Sequence, residues 1–259
     1  MPTEISFQGA KLSRPLVLAI DLDESFVEAS APDSRSELFA LFENSADDLR
    51  LIYMSHESAE KLIQLAAKAE LPVPEVFMAD SGTTVLKGDG TGTIEPLQRS
   101  IIQLWPGKEA VTKALGELKG VTLKVDDAPC RQGITVDGEE ALDAVRAKVD
   151  EMGCHLEARG EGEWDVLPYG VDKGSTLGRW IVEMNISPNS LLALGEAEGD
   201  MCLFGRGWRG AVFAHAPQHL RDEANRFHNV YILQEDGPKA VLQALRKHGW
   251  LELPAKAKA

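Results

Sequence analysis

Leu16-Val-Leu-Ala-Ile-Asp-Leu-Asp-Glu-Ser25 decides how the rest of the chain is read. Its apolar run, Leu16 to Ile20, stops at Asp21 and Asp23. A run this short and this uniformly apolar reads as a strand buried on both faces. Such strands belong to parallel sheets covered by helices, where ligands collect beyond the carboxyl ends of the strands. The spacing of the two acids says nothing alone, because 41 acidic residues in 259 give roughly six pairs at any fixed separation by chance. Their place is what matters. Two carboxylates at a buried strand end repel each other, and a bound cation would relieve them. A helix cap or a solvated turn is the plainer alternative.

Outward from this strand the pattern alternates. Leu51–Met54 reads as a second buried strand, followed by a helix over His56–Glu70 with Ala59, Leu62, Ile63 and Ala66 at helical spacing. Lys173–Met184 repeats the helical pattern. Then come strand Leu191–Leu194, a short helix near Asp200–Phe204, strand Ala211–Ala214, helix Pro217–Arg226, strand Val230–Leu233 and helix Pro238–Lys247. Strands alternating with helices predict an α/β fold with a Rossmann-like parallel-sheet core. The middle departs from this: helix Gly107–Leu118, strands Val121–Val125 and Gly133–Val136, helix Glu139–Met152, strands Cys154–Ala158 and Trp164–Leu167. That order, αββαββ, predicts a small antiparallel sheet backed by two helices. The expected division is a core of residues 1–87 and 165–259 with an inserted unit over 88–164, entered through the Gly/Thr-rich Lys87–Thr93. The Ala/Lys tail Pro254–Ala259 is expected to fray.

Composition limits the partners. A net charge of -14, from 27 basic and 41 acidic residues, repels nucleic acid and anionic membranes, so a small molecule is the expected partner. A phosphorylated one would be repelled too, unless its site carries a local positive charge. The three cysteines, Cys130, Cys154 and Cys202, are odd in number and form no CxxC pair, which favours reduced thiols in a cytoplasmic protein. MPTEISFQGAKLSRP lacks the apolar core of a signal peptide, and no apolar run approaches membrane-spanning length. Gly205-Arg-Gly-Trp-Arg-Gly210 matches GxGxxG but lies between a helix and a strand, the wrong context for dinucleotide binding. The six histidines form no zinc-binding pattern.

Three further fragments could carry chemistry. Lys173 opens a helix in Pro168-Tyr-Gly-Val-Asp-Lys-Gly-Ser-Thr176, where a positive charge is disfavoured unless an anion sits beside it; a solvated surface lysine is the alternative. Glu196 and Asp200 follow strand Leu191–Leu194 four residues apart, so they share a helical face and repel unless a cation bridges them. They could equally be an acidic loop. Ser55 ends the second strand, placed to cap the next helix or to donate to a phosphate oxygen.

Taken in order, these fragments resemble the motifs of the haloacid-dehalogenase superfamily of phosphohydrolases. Asp21-Leu-Asp-Glu-Ser25 is similar to its nucleophile motif, Ile52-Tyr-Met-Ser55 to the second, Lys173 to the third-motif lysine, and Gly195-Glu-Ala-Glu-Gly-Asp200 to the fourth, usually G-D-S-G-N-D. The αββαββ insertion resembles the cap of the branch containing sucrose-phosphate, mannosylglycerate-phosphate and Cof-type sugar phosphatases. The resemblance implies a magnesium-dependent phosphatase acting on a small phosphorylated metabolite, in which Asp21 forms a phosphoaspartate and Asp23 serves as acid and base. It implies that Asp21, Asp23, Glu196 and Asp200 hold Mg2+, and that Ser55 and Lys173 hold the phosphoryl oxygens. On the cap, Lys124 and Arg131 are candidates for substrate contact. Ser25 departs from the usual Thr, Glu196 from the usual Asp and Gly199 from the usual Asn. A phosphomutase of the same fold and a weakly active sugar-phosphate-binding relative remain the alternative functions.

Overall fold

The computed structural model describes residues 9–125 and 127–252, so the tail expected to fray, Pro254–Ala259, lies outside the described residues. The described chain opens with β1 (Lys11–Leu12), β2 (Leu16–Asp21), α1 (Glu24–Glu28), α2 (Pro32–Asn44), β3 (Leu49–Met54), α3 (Ala59–Lys68), β4 (Val76–Ala79) and β5 (Thr84–Lys87). After α4 (Leu97–Leu104) come α5 (Lys108–Gly116), β6 (Val121–Leu123), β7 (Gln132–Val136), α6 (Glu139–Glu151), β8 (Cys154–Gly160) and β9 (Glu163–Pro168). The last part holds α7 (Lys173–Glu183), β10 (Leu191–Gly195), β11 (Arg209–Val212), α8 (Gln218–Ala224), β12 (Val230–Ile232), α9 (Gly237–Lys247) and β13 (Leu251–Glu252).

Seven strands form the main sheet in the order β12-β11-β10-β2-β3-β4-β5. All pairings are parallel except β4 with β5. Every residue of β2 is buried, and its side chains feed two cores. Leu16, Leu18 and Ile20 pack with α2 and α9 on one face, while Val17 and Ala19 pack with α4, α7 and α8 on the other. Burial on both faces is why the sequence there runs apolar without alternating. The chain winds outward from β2 through β3 and β4, then returns to place β10 on the other side of β2. The carboxyl ends of β2 and β10 therefore flank the switch point of the sheet, where a crevice opens in folds of this kind.

The inserted αββαββ unit is present as expected. Its sheet, in the order β6-β7-β9-β8, is antiparallel throughout. Val111 and Leu115 of α5 and Val145 and Val149 of α6 pack on Ile134 and Val166 in a core of its own. This unit begins and ends later than 88–164. Leu97 and Ile101 of α4 pack into the main core, and Gln98 bonds Val85 N and Thr83 O at 2.8 and 2.9 Å. At the other end β9 pairs through Pro168 with Cys154. The Gly/Thr-rich stretch is not the entry. It is a tight turn after β5, closed by Lys87 N to Gly92 O at 2.9 Å. Among the described residues no helix is long and apolar enough to cross a membrane.

Candidate active site

Asp21 ends β2 and is only 2% exposed. Lys173 is the first residue of α7 and is 1% exposed, so the surface alternative does not hold. Asp172 caps that helix, accepting from Ser175 N at 2.5 Å, while its own N–H donates to Ser175 Oγ at 2.8 Å. The helix start is seated by a left-handed turn in which Asp80, Ser81 and Gly82 have φ of 54°, 57° and 88°. A Cβ at Gly82 would come within 2.7 Å of Asp172 C and Lys173 N, so only glycine lets the turn lie against α7.

The Lys173 ammonium bridges two buried carboxylates, Asp21 Oδ1 at 3.0 Å and Asp200 Oδ1 in closer contact. Burial disfavours the lysine's charge, but Asp200 and Asp21 outweigh it and hold the pKa well above the usual value. Burial, followed by the charge of Asp200, pushes Asp21 up to about 7 against the pull of Lys173. Asp200 is fixed from the other side, where Oδ2 accepts from Glu196 N at 2.8 Å and Ala197 N at 2.9 Å.

Asp23 is both a cap and a member of the site. Its Oδ1 accepts from Phe26 N at 3.0 Å, capping α1, and from Ser25 Oγ at 2.5 Å. Ser25 Oγ also lies 2.7 Å from Glu196 Oε1. Burial raises the pKa of Glu196 first, and its contact with Asp23 adds to that, up to about 10. Burial acts upward on Asp23 too, but hydrogen bonds from Glu196, Ser25 and the Phe26 N–H outweigh it and lower the value. The Ser25 hydroxyl thus sits between the two acids.

These four acids suit a hard divalent cation in donor chemistry, all being carboxylates. Glu196 Oε2 and Asp200 Oδ1 are buried oxygens that make ion-pair contacts, to His215 and Lys173, but no aligned hydrogen bond, which leaves each with a lone pair that a cation would satisfy. As arranged here, no group of three or more His, Cys, Asp or Glu side chains converges in metal-holding geometry among the described residues. The Lys173 ammonium lies between Asp21 and Asp200, and Glu196 leans toward Asp23 and Ser25.

The remaining sequence candidates fall in different places. Ser55 does not cap α3; Ser58 does, accepting from Lys61 N at 3.2 Å. The Ser55 hydroxyl donates to Leu22 O at 2.8 Å, tying the end of β3 to the loop after Asp21. Lys124 pairs with Glu163 at 2.7 Å within the inserted sheet, not with the Asp21 cluster. Arg131 is 6% exposed, so it is no open surface charge. It pairs with Asp80 at 3.2 Å and Asp165 at 3.6 Å, joining the insertion to the core. Ser81 Oγ donates to the same Asp165 at 2.9 Å. Replacing Arg131 with alanine leaves two buried carboxylates short of a partner, an expected loss of about 3–5 kcal/mol. Chemical denaturation checks it; a loss under about 1 kcal/mol would contradict a structural role for this pair.

Sequence reading missed Glu157 of β8, His215 and Asp236. A Cβ at Gly199 would lie 3.1 Å from Glu157 Oε1, so the inserted sheet places a carboxyl where a larger residue at 199 would project. Burial raises the Glu157 pKa to about 8, with Lys173 and Ser81 pulling the other way. A folded value above the unfolded one stabilises the fold at low pH and loses that contribution as pH rises through about 8. Glu157→Gln should therefore gain in Tm on the parent chain between about pH 5 and pH 9. An unchanged difference at both ends would contradict this. The signal for Glu157 and Gly199 lay in their pairing across the fold, which local spacing does not carry.

Against known proteins, a family model described as sucrose-6F-phosphate phosphohydrolase matches residues 14–249. A glucosylglycerol-phosphate synthase of Pseudomonas anguilliseptica is 27% identical over 241 residues, which are 91% of this chain and 31% of that protein. The chain thus spans about a third of that curated relative's length. A sucrose-phosphatase from Synechocystis, solved with sucrose and phosphate, superposes with a TM-score of 0.80 at 17% identity, covering 92% of this chain and 99% of that one. A haloacid dehalogenase-like hydrolase from Bacillus subtilis superposes with a TM-score of 0.63 at 18% identity, covering 92% and 94%. At such identities the superpositions speak for the fold: a haloacid-dehalogenase core with an inserted cap.

Proposed function

The chain belongs to the sucrose-6F-phosphate phosphohydrolase family, and from that membership we propose that it hydrolyses a phosphomonoester of a small sugar with Asp21 as nucleophile. The observation that carries this reading is the buried Asp21–Lys173–Asp200 cluster at the switch point of the sheet. A cation and two anions buried together are costly to assemble and suit a phosphoryl group in transit.

In this reading an Asp21 carboxylate oxygen attacks phosphorus as the bond to the sugar oxygen breaks, giving a phosphoaspartate. Lys173, already against Asp21, draws the phosphoryl oxygens in. Ser55 can donate to them once its hydroxyl turns from Leu22 O. The departing alkoxide needs a proton, and Asp23 is the acid beside Asp21. Asp23, then ionised, takes a proton from water as that water attacks phosphorus and frees Asp21. The Asp21 carboxylate, the Asp23 carbonyl, Glu196 and Asp200 would hold Mg2+. When bound, the ion supplies charge neutralisation between a carboxylate and a phosphate.

The relatives' names set the substrate panel: sucrose 6F-phosphate and glucosylglycerol phosphate, beside simpler sugar phosphates. Release of inorganic phosphate from at least one, in magnesium, is the expected result. Binding without release from any would contradict a hydrolase.

A further inference from the structure

His215 lies three residues beyond the end of β11, the neighbour of β10 in the sheet. The parallel register sets Val212 opposite Gly195, so the loops after the two strands run side by side. There the His215 ring reaches Glu196, with Nε2 3.0 Å from Oε2. That approach is ion-pair close without hydrogen-bond alignment, and Oε2 has no other partner. The other ring nitrogen, Nδ1, lies 2.7 Å from Asp236 Oδ1, which also accepts from His215 N at 3.2 Å. Asp236 occupies the N-cap position of α9, yet its side chain makes no cap hydrogen bond there. Its carboxylate faces the histidine instead. The buried ring of Phe213 stacks on the imidazole at 6.2 Å with 26° between planes.

The ring is therefore held at one nitrogen, along one face and through its own backbone, with the second nitrogen aimed at Glu196. Glu196 is a methylene longer than the aspartate usual at this position. A longer side chain has one more rotatable bond, so it needs more to hold it where a small cation could use it. Ser25 reaches one carboxyl oxygen at 2.7 Å and His215 the other. We propose that Asp236 and His215 form a positioning pair that sets the Glu196 carboxylate for divalent-cation binding. This rests on the metal reading given under Proposed function. Outer-shell partners of this kind typically change metal affinity or activity by 10–100-fold when removed.

Cation affinity tests it without turnover. Mn2+ binding followed by electron paramagnetic resonance, with Mg2+ as competitor, is measured for the parent chain, His215→Ala, Asp236→Asn, Glu196→Asp and the double variant His215→Ala/Glu196→Asp. His215→Ala should weaken Mn2+ by about 10–100-fold, and Asp236→Asn should do so in the same direction by less. The double variant should be no weaker than the poorer single one, because a shortened side chain no longer reaches the histidine. In turnover, His215→Ala should lose its rate at subsaturating magnesium and recover it at high magnesium, with KM for sugar phosphate little changed. Parental Mn2+ affinity in His215→Ala, or strictly additive losses in the double variant, would overturn the proposal. If the parent chain binds no divalent cation at all, the metal reading fails and takes this inference with it.

Discussion

Replacing Lys173 with alanine should remove phosphate release and also weaken the fold. The catalytic loss follows from taking away the ammonium beside Asp21, and removal of such a charge partner is expected to lower kcat by about 10²–10³-fold. The stability loss follows from burial: Lys173, Asp21 and Asp200 are 1%, 2% and 0% exposed. Without the lysine two carboxylates face each other away from water, at a cost of about 3–5 kcal/mol for a broken buried pair. The loss should grow as pH rises, because without Lys173 nothing offsets the burial and the Asp200 charge that already push the Asp21 pKa up, and it should be smaller at low pH, where a proton on Asp21 removes the repulsion. Thermal unfolding in chelator at low and at high pH checks the sign. A solvated surface lysine, the plainer alternative in the sequence, could be removed at little cost to stability; full burial reverses that. A variant as stable as the parent at alkaline pH would contradict the ion-pair geometry.

Asp21→Asn should behave differently. The amide keeps the shape and leaves Lys173 paired with Asp200, so stability should change little. Turnover should fall by something on the order of 10⁴–10⁶-fold, the range seen when a covalent nucleophile is removed. Substrate should still bind through Lys173. Chelation should abolish phosphate release from the parent chain, and added magnesium should restore it. Full activity of Asp21→Asn in magnesium would overturn the nucleophile assignment; full activity of the parent chain in excess chelator would remove the cation's role.

Much of the fold was legible because burial on both faces writes an uninterrupted apolar run. Leu16–Ile20, Leu51–Met54 and Leu191–Leu194 all lie on central strands of the sheet. The edge was harder. β4 and β5 have four residues each, too short for a period to stand out, and Pro72 and Pro74 lead into the first of them. The missed α2 buries Leu38, Leu41 and Phe42 on one narrow stripe while Phe39 packs partly beside them, so its pattern is blurred. The helix α4 falls inside the expected insertion, 88–164, and is not predicted from the sequence, since nothing local shows that Leu97 and Ile101 pack backward onto the main core.

At the site, Asp21, Asp23, Lys173, Glu196 and Asp200 announced themselves by position at strand ends or a helix start, and the fold brings them together. Lys124 and Arg131 were read from charge alone, and charge does not reveal a partner: Glu163 engages the first, Asp80 and Asp165 the second. His215 and Asp236 were invisible for a related reason. Neither belongs to a local pattern, and they meet Glu196 only because β10 and β11 are neighbours in the sheet.

The covalent step itself is the most direct thing to measure. Parent chain turning over a sugar phosphate in magnesium is quenched rapidly with borohydride, which reduces an acyl phosphate to an alcohol, and the peptides are read by mass spectrometry. The account predicts reduction of the Asp21 side chain, dependent on substrate and magnesium and absent in chelator. Phosphate release with no modification at Asp21, or with the modification on another acidic residue, would contradict it.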